Sequence, residues 1–196
     1  METGLFFGSF NPVHIGHMAI ANYIAEYSDV SEVWFIVTPH NPLKKKETLL
    51  PDRDRLYLTE LAIGDDPRFR VSDVEFTLPQ PSYTVDTLAY LTDKYPSRRF
   101  TLIMGEDNLA TLHKWKNAEL LVKEYPIIVY PRLYQAPAAG KKLLELLEMA
   151  KITKIDAPVM EISGTFIRTA ISEGRDVSWF VPSATWKYIR EMHFYE

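Results

Sequence analysis

The stretch 8–17 concentrates residue types that bind phosphate groups. It reads Gly-Ser-Phe-Asn-Pro-Val-His-Ile-Gly-His, with His14 and His17 three positions apart and glycines that let a ligand approach the backbone. If a helix begins near His14, both rings lie on one side of it, at the helix end that attracts anions. Two imidazoles there can donate hydrogen bonds to a polyphosphate and become cationic as negative charge develops. The spacing therefore indicates a nucleotide phosphate site, with a pair of structural histidines as the alternative.

Other chemistries fit this stretch less well. Zinc at His14 and His17 would need a third ligand such as Glu or His, and none is placed nearby. The chain has no cysteine, which excludes a thiolate nucleophile, a zinc–thiolate site and a redox pair. The stretch also lacks the Gly-x-Gly-x-x-Gly fingerprint of dinucleotide-binding sheets, so a dehydrogenase is disfavoured.

A second candidate phosphate cradle lies at 162–168, which reads Ile-Ser-Gly-Thr-Phe-Ile-Arg. Ser163 and Thr165 are suited to begin a helix, and Arg168 follows about one turn later. Hydroxyl groups and helix N–H groups in this position can hold one phosphate, while the guanidinium reaches another. Simple helix capping by Ser163 and Thr165 is the alternative.

The elements that must position these segments alternate between strand and helix patterns. Short apolar runs predict strands at 3–7, 32–37, 69–71, 74–76, 100–104 and 127–130. Helical periodicity predicts helices at 16–28, 53–63, 85–95, 118–124, 141–150 and 165–172. Such alternation is typical of an α/β protein, here a Rossmann-like, doubly wound sheet of mainly parallel strands with helices on both faces. Ligands of such sheets bind at the carboxyl ends of the strands, which directs attention to the residues that follow each strand.

The composition limits the class of protein. The chain has 196 residues, a formal net charge of −4 and a pI of about 5.8, a balance that argues against a nucleic-acid-binding surface. The first residues lack the basic and apolar regions of a signal peptide, and no window approaches the roughly 20 apolar residues of a membrane span. We therefore expect a single domain over residues 1–196, located in the cytoplasm, with no nucleic-acid or membrane partner.

Both cradle segments resemble motifs of the nucleotidyltransferase superfamily. Residues 8–17 are similar to its Gly-x-Phe-Asp/Asn-Pro-x-His-x-Gly-His signature, and residues 162–168 to its Ile-Ser-x-Thr-x-Ile-Arg motif, in the family's order. One departure is Gly164, because many relatives carry serine there. The resemblance implies His14, His17 and Arg168 as catalytic residues. It also implies an ATP site formed by Gly8, Ser9, Phe10, His14, Gly16, His17, Gly105, Asp107, Ile162, Ser163, Thr165 and Arg168.

Segments between the two motifs resemble bacterial nicotinate-nucleotide adenylyltransferases. The resemblance is carried by Ser-Tyr-Thr-Val-Asp-Thr-Leu at 82–88, Gly-Glu-Asp-Asn at 105–108 and Trp115, and it extends from Gly4 to about Ile189. It implies adenylyl transfer from ATP to nicotinate mononucleotide, which gives nicotinate adenine dinucleotide and pyrophosphate. It also implies Mg²⁺ as cofactor, bound mainly to phosphate oxygens without a dedicated protein ligand.

The implied acceptor site agrees with the chemistry of a nicotinate group. Trp115 can offer an aromatic face to the pyridine ring, and Tyr83 and Thr84 at a helix start can offer donors to the carboxylate. Helix capping and a core tryptophan are the alternatives. The full set of implied substrate-binding residues is Asn11, Lys44, Lys45, Tyr83, Thr84, Asp107 and Trp115.

Several points stay open at the level of the sequence. Glu106 and Lys116 replace the small residue and the aromatic residue that relatives usually carry, and a basic side chain at 116 can face the acceptor's phosphate or carboxylate. Which lysine of 44–46 contacts phosphate, the preference for nicotinate over nicotinamide mononucleotide and the oligomeric state are undetermined. Phosphopantetheine adenylyl transfer and a non-catalytic nucleotide sensor are the alternative functions.

Overall fold

The computed structural model describes residues 1–39, 49–133 and 139–196, and these form a parallel sheet flanked by helices. The strands are β1 (Glu2–Gly8), β2 (Glu32–Val37), β3 (Phe69–Ser72), β4 (Arg99–Gly105), β5 (Ile127–Tyr130) and β6 (Ile152–Lys154). The helices are α1 (Ile15–Tyr27), α2 (Asp52–Ile63), α3 (Val74–Thr77), α4 (Thr84–Lys94), α5 (Glu106–Leu109), α6 (Ala118–Glu124), α7 (Lys141–Met149), α8 (Gly164–Ser172) and α9 (Ser183–Glu191). A 3₁₀ turn spans Leu112–Lys114.

The strand order is β3-β2-β1-β4-β5-β6, and every neighbouring pair is parallel. The chain therefore builds outward from β1 through β2 to β3, returns to the centre at β4 and builds outward in the opposite direction. Connections leave β1 and β4 toward opposite sides, which opens a crevice above their carboxyl ends. The prediction of a doubly wound α/β sheet is confirmed.

The two faces of the sheet are buried under different helices. Leu5 and Leu102 are paired across β1 and β4, and both belong to an apolar cluster that α4 and α6 cover. Phe6 and Ile103, one position further along, point the other way into a cluster that includes α1. Burial on both faces explains why these strands read as continuous apolar runs rather than as alternating patterns. Within the described residues, no helix has the length and apolarity needed to cross a bilayer.

A third apolar cluster fixes the last part of the chain against α2. Leu58 of α2 packs there with Ile167 of α8 and Ile189 of α9. The hydroxyl of Thr185 in α9 donates to the Leu58 carbonyl over 3.0 Å, and both groups are buried. This packing sets the position of α8, which carries the second phosphate-cradle motif.

The predicted strand at 74–76 is wrong, because α3 occupies this segment. The carboxylate of Glu75 is buried and accepts hydrogen bonds from Thr87 at 2.7 Å and from Ser82 at 3.2 Å, so its side chain must turn toward α4. Burial raises the pKa of this carboxyl group. A tertiary network of this kind overrides the local strand preference of Val74 and Phe76.

Strand β6 and helix α9 lie outside the predicted elements. β6 is three residues long, with one half-buried and two exposed side chains, so it carries no apolar run. α9 mixes aromatic and charged residues and buries only Thr185 and Ile189. Both elements are held by tertiary contacts that a local pattern does not reveal.

The guanidinium of Arg55 in α2 joins the carboxyl ends of β1 and β2. Its side chain is fully buried and donates to three backbone carbonyls, those of Ser9, Thr38 and Leu50. It also pairs with the carboxylate of Asp52 one turn earlier. The buried guanidinium of Arg55 therefore fixes the first phosphate-cradle loop through the Ser9 carbonyl.

We expect Arg55→Met to lower the free energy of unfolding by about 3 kcal/mol or more, because several buried carbonyls lose their donor. The matched control is Arg53→Met on the same helix, where the side chain is exposed and the expected change is within about 0.5 kcal/mol. Urea unfolding of both variants measures the difference. Equal stabilities would contradict the assigned role of Arg55.

Candidate active site

A cleft lies above the carboxyl ends of β1 and β5, and it contains both candidate histidines. Its walls include His14, His17, Tyr130, Arg132 and Met160. The backbone of Gly16 also lines it, where an added Cβ would lie 3.1 Å from the His14 ring. The cleft coincides with the switch-point crevice in which open α/β sheets bind ligands.

The two imidazoles are stacked at the start of α1. Their ring centroids are 3.7 Å apart with an interplanar angle of 25°. His14 is the N-cap residue, and its backbone N–H donates to Nδ1 of His17 over 3.2 Å. A neutral His17 must then carry its proton on Nε2, which leaves that N–H as a donor for a ligand.

Both histidines are held in the neutral form. Burial, together with the smaller effect of the positive charge of Arg132, lowers the pKa of His14 to about 4. Burial also lowers the pKa of His17 well below its usual value, with smaller contributions from His14 and Arg132. In the ligand-free protein at neutral pH these rings are therefore hydrogen-bonding groups rather than cations, and a bound anion would favour their protonation.

Arg132, which the sequence analysis did not identify, supplies positive charge to the cleft. It lies two positions beyond the end of β5, and its Nη1 donates to the Met160 carbonyl over 3.4 Å. Its guanidinium carbon lies 5.4 Å from the Tyr130 ring centroid. A basic residue within two positions of the carboxyl end of a buried parallel strand is the signal that would have found it.

The second motif lies against the first through Arg168. Nη1 of Arg168 donates to the Asn11 carbonyl over 2.7 Å, and Nη2 donates to the hydroxyl of Thr165 over 3.3 Å. Ser163 caps α8, because its hydroxyl oxygen accepts from the Phe166 N–H over 3.1 Å. Ser163 therefore acts as the helix cap that the sequence left open as an alternative. Arg168 is fixed between the two cradle loops.

Gly164 permits this approach. A Cβ at this position would lie 2.8 Å from the Asn11 carbonyl oxygen and 3.2 Å from Nη1 of Arg168. A backbone oxygen cannot move away as the end of a flexible side chain can, so a serine here would separate the two loops. Glycine in place of the serine that many relatives carry at 164 therefore allows the close contact between Asn11 and Arg168.

Phe10 of the first motif packs close to the ring of His17 and to Gly8. Phe10 is 1% exposed, has a positive φ of 43°, and its ring lies 5.1 Å from that of His17. A Cβ on Gly8 would lie 2.9 Å from the Phe10 ring, so this ring occupies the space that a side chain at position 8 would need. The side chain of Phe10 is therefore part of the core. Ile162 of the second motif is partly buried and packs against the third apolar cluster.

Of the acceptor residues predicted from the family, Tyr83 and Thr84 lie at the start of α4. Tyr83 is its N-cap, Thr84 is its first residue, and half-buried Trp115 ends the neighbouring 3₁₀ turn. Lys116 joins the two segments, because its Nζ lies 4.4 Å from the Tyr83 ring centroid and 2.8 Å from the Asp86 carboxylate. The lysine that replaces an aromatic residue therefore packs on Tyr83.

Helix α5, which follows β4, carries two carboxylates with different surroundings. Glu106 accepts from the Arg132 backbone N–H at 3.4 Å and from Lys154 at 3.5 Å, so it faces β5 and β6. Oδ1 of Asp107 is buried and lies close above Gly105, where a Cβ would collide with it. Only a glycine at 105 is compatible with this position of Asp107.

Unpaired buried polar atoms concentrate around this crevice. Of the six side-chain atoms that are buried without a hydrogen-bond partner in the described part of the chain, four belong to His14, Asp107, Arg132 and Arg168. Buried polar atoms are normally paired, so such a concentration indicates groups that await a polar ligand. The predicted contacts of Lys44 and Lys45 lie outside the described residues.

The described residues do not form a resident metal site. No group of three or more His, Asp or Glu side chains that could hold an ion occurs in residues 1–39, 49–133 and 139–196. The side chains nearest the histidines are cationic or neutral, a donor set that suits phosphate oxygens rather than Mg²⁺.

An open parallel sheet with a phosphate-binding crevice at its switch point defines a nucleotide-binding α/β protein. The comparisons narrow this class. A family model described as cytidylyltransferase-like matches residues 5–170. Over 196 residues, the full length of both chains, the protein is 51% identical to a Flavobacterium johnsoniae protein named "Probable nicotinate-nucleotide adenylyltransferase". The chain therefore belongs to the cytidylyltransferase-like family and, within it, to the nicotinate-nucleotide adenylyltransferases.

Two further comparisons agree with this assignment. A Bacteroides thetaiotaomicron protein of the same name is 49% identical over 191 residues, which are 97% of this chain and 92% of that protein. The solved structure of Plasmodium falciparum nicotinic acid mononucleotide adenylyltransferase complexed with NaAD superimposes with a TM-score of 0.77. It covers 99% of this chain and 97% of its own, at 18% identity, and so shows that the fold is shared. The resemblance found in the sequence is confirmed.

The depressed pKa of His14 makes stability depend on pH. Because its pKa is about 4 in the folded protein and about 6.5 when unfolded, the unfolded state binds more protons between these values, and stability falls as the pH falls. We expect His14 to contribute about 3 kcal/mol to the loss between pH 7 and pH 4.

Urea unfolding at several pH values, for wild type and His14→Gln, measures this contribution. The variant should lose less stability on acidification than wild type, whatever its stability at pH 7. Parallel pH profiles would contradict the assignment.

Proposed function

We propose that this protein transfers the adenylyl group of ATP to nicotinate mononucleotide, which yields nicotinate adenine dinucleotide and pyrophosphate, in the cytoplasm. This is a step of NAD biosynthesis. The observation that carries the site assignment is the cluster of unpaired buried polar atoms on His14, Asp107, Arg132 and Arg168 around the switch-point crevice. A nucleoside triphosphate together with a second nucleotide supplies both anionic oxygens and hydroxyl groups to pair with these atoms.

The reaction is a displacement at the α-phosphorus of ATP. A phosphate oxygen of nicotinate mononucleotide forms the new P–O bond, and the bond from the α-phosphorus to the α,β-bridging oxygen breaks. Pyrophosphate leaves with the electron pair of that bond. Such a transfer asks the protein for positioning and charge stabilisation rather than for a covalent intermediate.

The roles of the side chains follow from their protonation states. Arg168 and Arg132 bring permanent positive charge to the phosphates, because a guanidinium stays protonated in the working range. His17 offers its Nε2–H as a neutral donor, since its Nδ1 accepts from the His14 backbone. As negative charge grows on the leaving pyrophosphate, it favours protonation of these imidazoles and strengthens their hydrogen bonds.

Mg²⁺ is the proposed cofactor, carried by the phosphate oxygens of ATP. Bound there it neutralises phosphate charge and helps to orient the triphosphate. The described residues fit this role only indirectly, since their cationic groups bind the phosphates and not the ion. The protein's own task is to hold the triphosphate between Arg132, Arg168 and the start of α1.

The acceptor occupies the space between the start of α4 and the 3₁₀ turn in this proposal. Tyr83 and Thr84 face the nicotinate carboxylate, and Trp115 stacks on the pyridine ring. Lys116 is held close to Tyr83 and adds positive charge where the carboxylate would lie. Asp107 binds a ribose hydroxyl of a substrate.

Three acceptors separate the candidate functions. Purified protein with Mg²⁺-ATP is offered nicotinate mononucleotide, nicotinamide mononucleotide or phosphopantetheine, and pyrophosphate release is followed. We expect turnover with nicotinate mononucleotide, and slower turnover with its uncharged amide because the positive charge of Lys116 does not attract a neutral group. Turnover with phosphopantetheine alone would establish the alternative transferase, and ATP binding without turnover would establish a nucleotide sensor.

We expect Arg132→Met to reduce kcat/KM by about 10²-fold or more, since one charged donor is lost from a desolvated phosphate site. Arg175→Met is the matched control, because Arg175 is exposed and pairs only with nearby Glu173 among the described residues. Initial rates of pyrophosphate release measure both variants. A wild-type rate in Arg132→Met would remove this residue from the site.

A further inference from the structure

A tyrosine from the segment after α9 reaches the first phosphate-cradle loop. The hydroxyl of Tyr195 donates to Oδ1 of Asn11 over 2.7 Å, across 184 positions of sequence. Tyr195 has a φ of 68°, a backbone conformation that is uncommon for a residue with a large side chain. Neither the reaction nor the family motifs account for this contact.

The strained conformation is maintained by contacts on both sides of Tyr195. Glu196 pairs with Arg190 and with His193, each over 2.8 Å. The Phe194 N–H donates to the Ile189 carbonyl over 3.0 Å, which folds the segment back onto α9. A backbone outlier that its surroundings enforce is a frequent mark of a functional position.

Asn11 links this tyrosine to the catalytic guanidinium. The side-chain oxygen of Asn11 accepts from Tyr195 and, at 3.3 Å, from the Leu50 N–H. Its backbone carbonyl accepts from Nη1 of Arg168. Because Asn11 is 6% exposed and bonded at both groups, a shift of its side chain changes the position of the carbonyl that holds Arg168.

We propose that Tyr195 is a positioning residue for adenylyl transfer, which sets the place of the Arg168 guanidinium by holding Asn11. This proposal rests on the proposed function of the same site. Burial raises the pKa of the Tyr195 hydroxyl, so the group stays protonated and remains a donor to Asn11 at neutral pH. Asn11, assigned to substrate binding by resemblance, then acts mainly as the joint between Tyr195 and Arg168.

The first test is Tyr195→Phe, which removes one oxygen atom and retains the ring. We expect kcat to fall about tenfold while the melting temperature changes little, because misplacement of a charged group affects the transition state most. Tyr57→Phe is the matched control: Tyr57 is half-exposed and packs edge-on against Tyr188 in the same α2–α9 region. Wild-type kcat in Tyr195→Phe would overturn the proposal.

The second test separates positioning from a general structural effect. Tyr195→Phe is introduced into an Arg168→Lys background, where the fork that reaches the Asn11 carbonyl is absent. We expect no further loss of kcat in the double variant. The same tenfold loss in both backgrounds would mean that Tyr195 acts by another route and would overturn the proposal.

Binding of a non-hydrolysable ATP analogue keeps this test independent of turnover. If wild type releases no pyrophosphate with any acceptor, the proposed function fails, but calorimetry still reports the Kd of the analogue. Tyr195→Phe should then weaken binding in the wild-type background and leave it unchanged in Arg168→Lys. Equal effects in the two backgrounds would contradict the link through Asn11.

Discussion

The parallel pairing of β1 with both β2 and β4 is the constraint on which the site depends. It makes β1 the centre of the sheet, so the chain leaves the two central strands toward opposite sides. The crevice that results lies directly above Gly8, and the loop that follows must cross it before α1 begins. The start of α1 therefore faces the crevice for a topological reason. Any anion that enters meets this helix end first.

A desolvated crevice changes which residues can carry charge. Imidazoles buried there are neutral, and each is made harder to protonate by Arg132 beside it. The arginines retain their charge, but each needs acceptors while no ligand is present. Arg168 finds one in the Asn11 carbonyl and Arg132 in the Met160 carbonyl. Backbone oxygens thus stabilise the ligand-free site. In the proposed function the same arginine donors bind the polyphosphate, which limits the reorganisation that binding would require.

The sequence predicted the fold class and the family because their signals are local. Periodicity marks β1, β2 and α1, and ten consecutive residues carry the first motif. The assigned roles of His17 and Trp115 stay predictions, since the structure holds no ligand. The single-domain boundary also stays a prediction. Arg55 and Tyr195 were not found because each acts on partners far away in the chain, and an isolated arginine or tyrosine has no local pattern. The incorrectly predicted strand at 74–76 has a similar origin, since Glu75 bonds to Thr87 of α4 and to Ser82, which precedes that helix. Arg132 differs, because its position just beyond a buried strand could have identified it.

The first cradle loop has no regular structure of its own, yet it must hold His14 and Gly16 in place. Three distant segments fix it: Arg55 binds the Ser9 carbonyl, Arg168 binds the Asn11 carbonyl, and Tyr195 binds the Asn11 side chain. Each of these contacts closes a long stretch of chain, so each forms only when α2, α8 and the segment after α9 are packed together. The third apolar cluster joins the same elements, so the packing of Leu58 against Ile167 and Ile189 also sets the position of this loop.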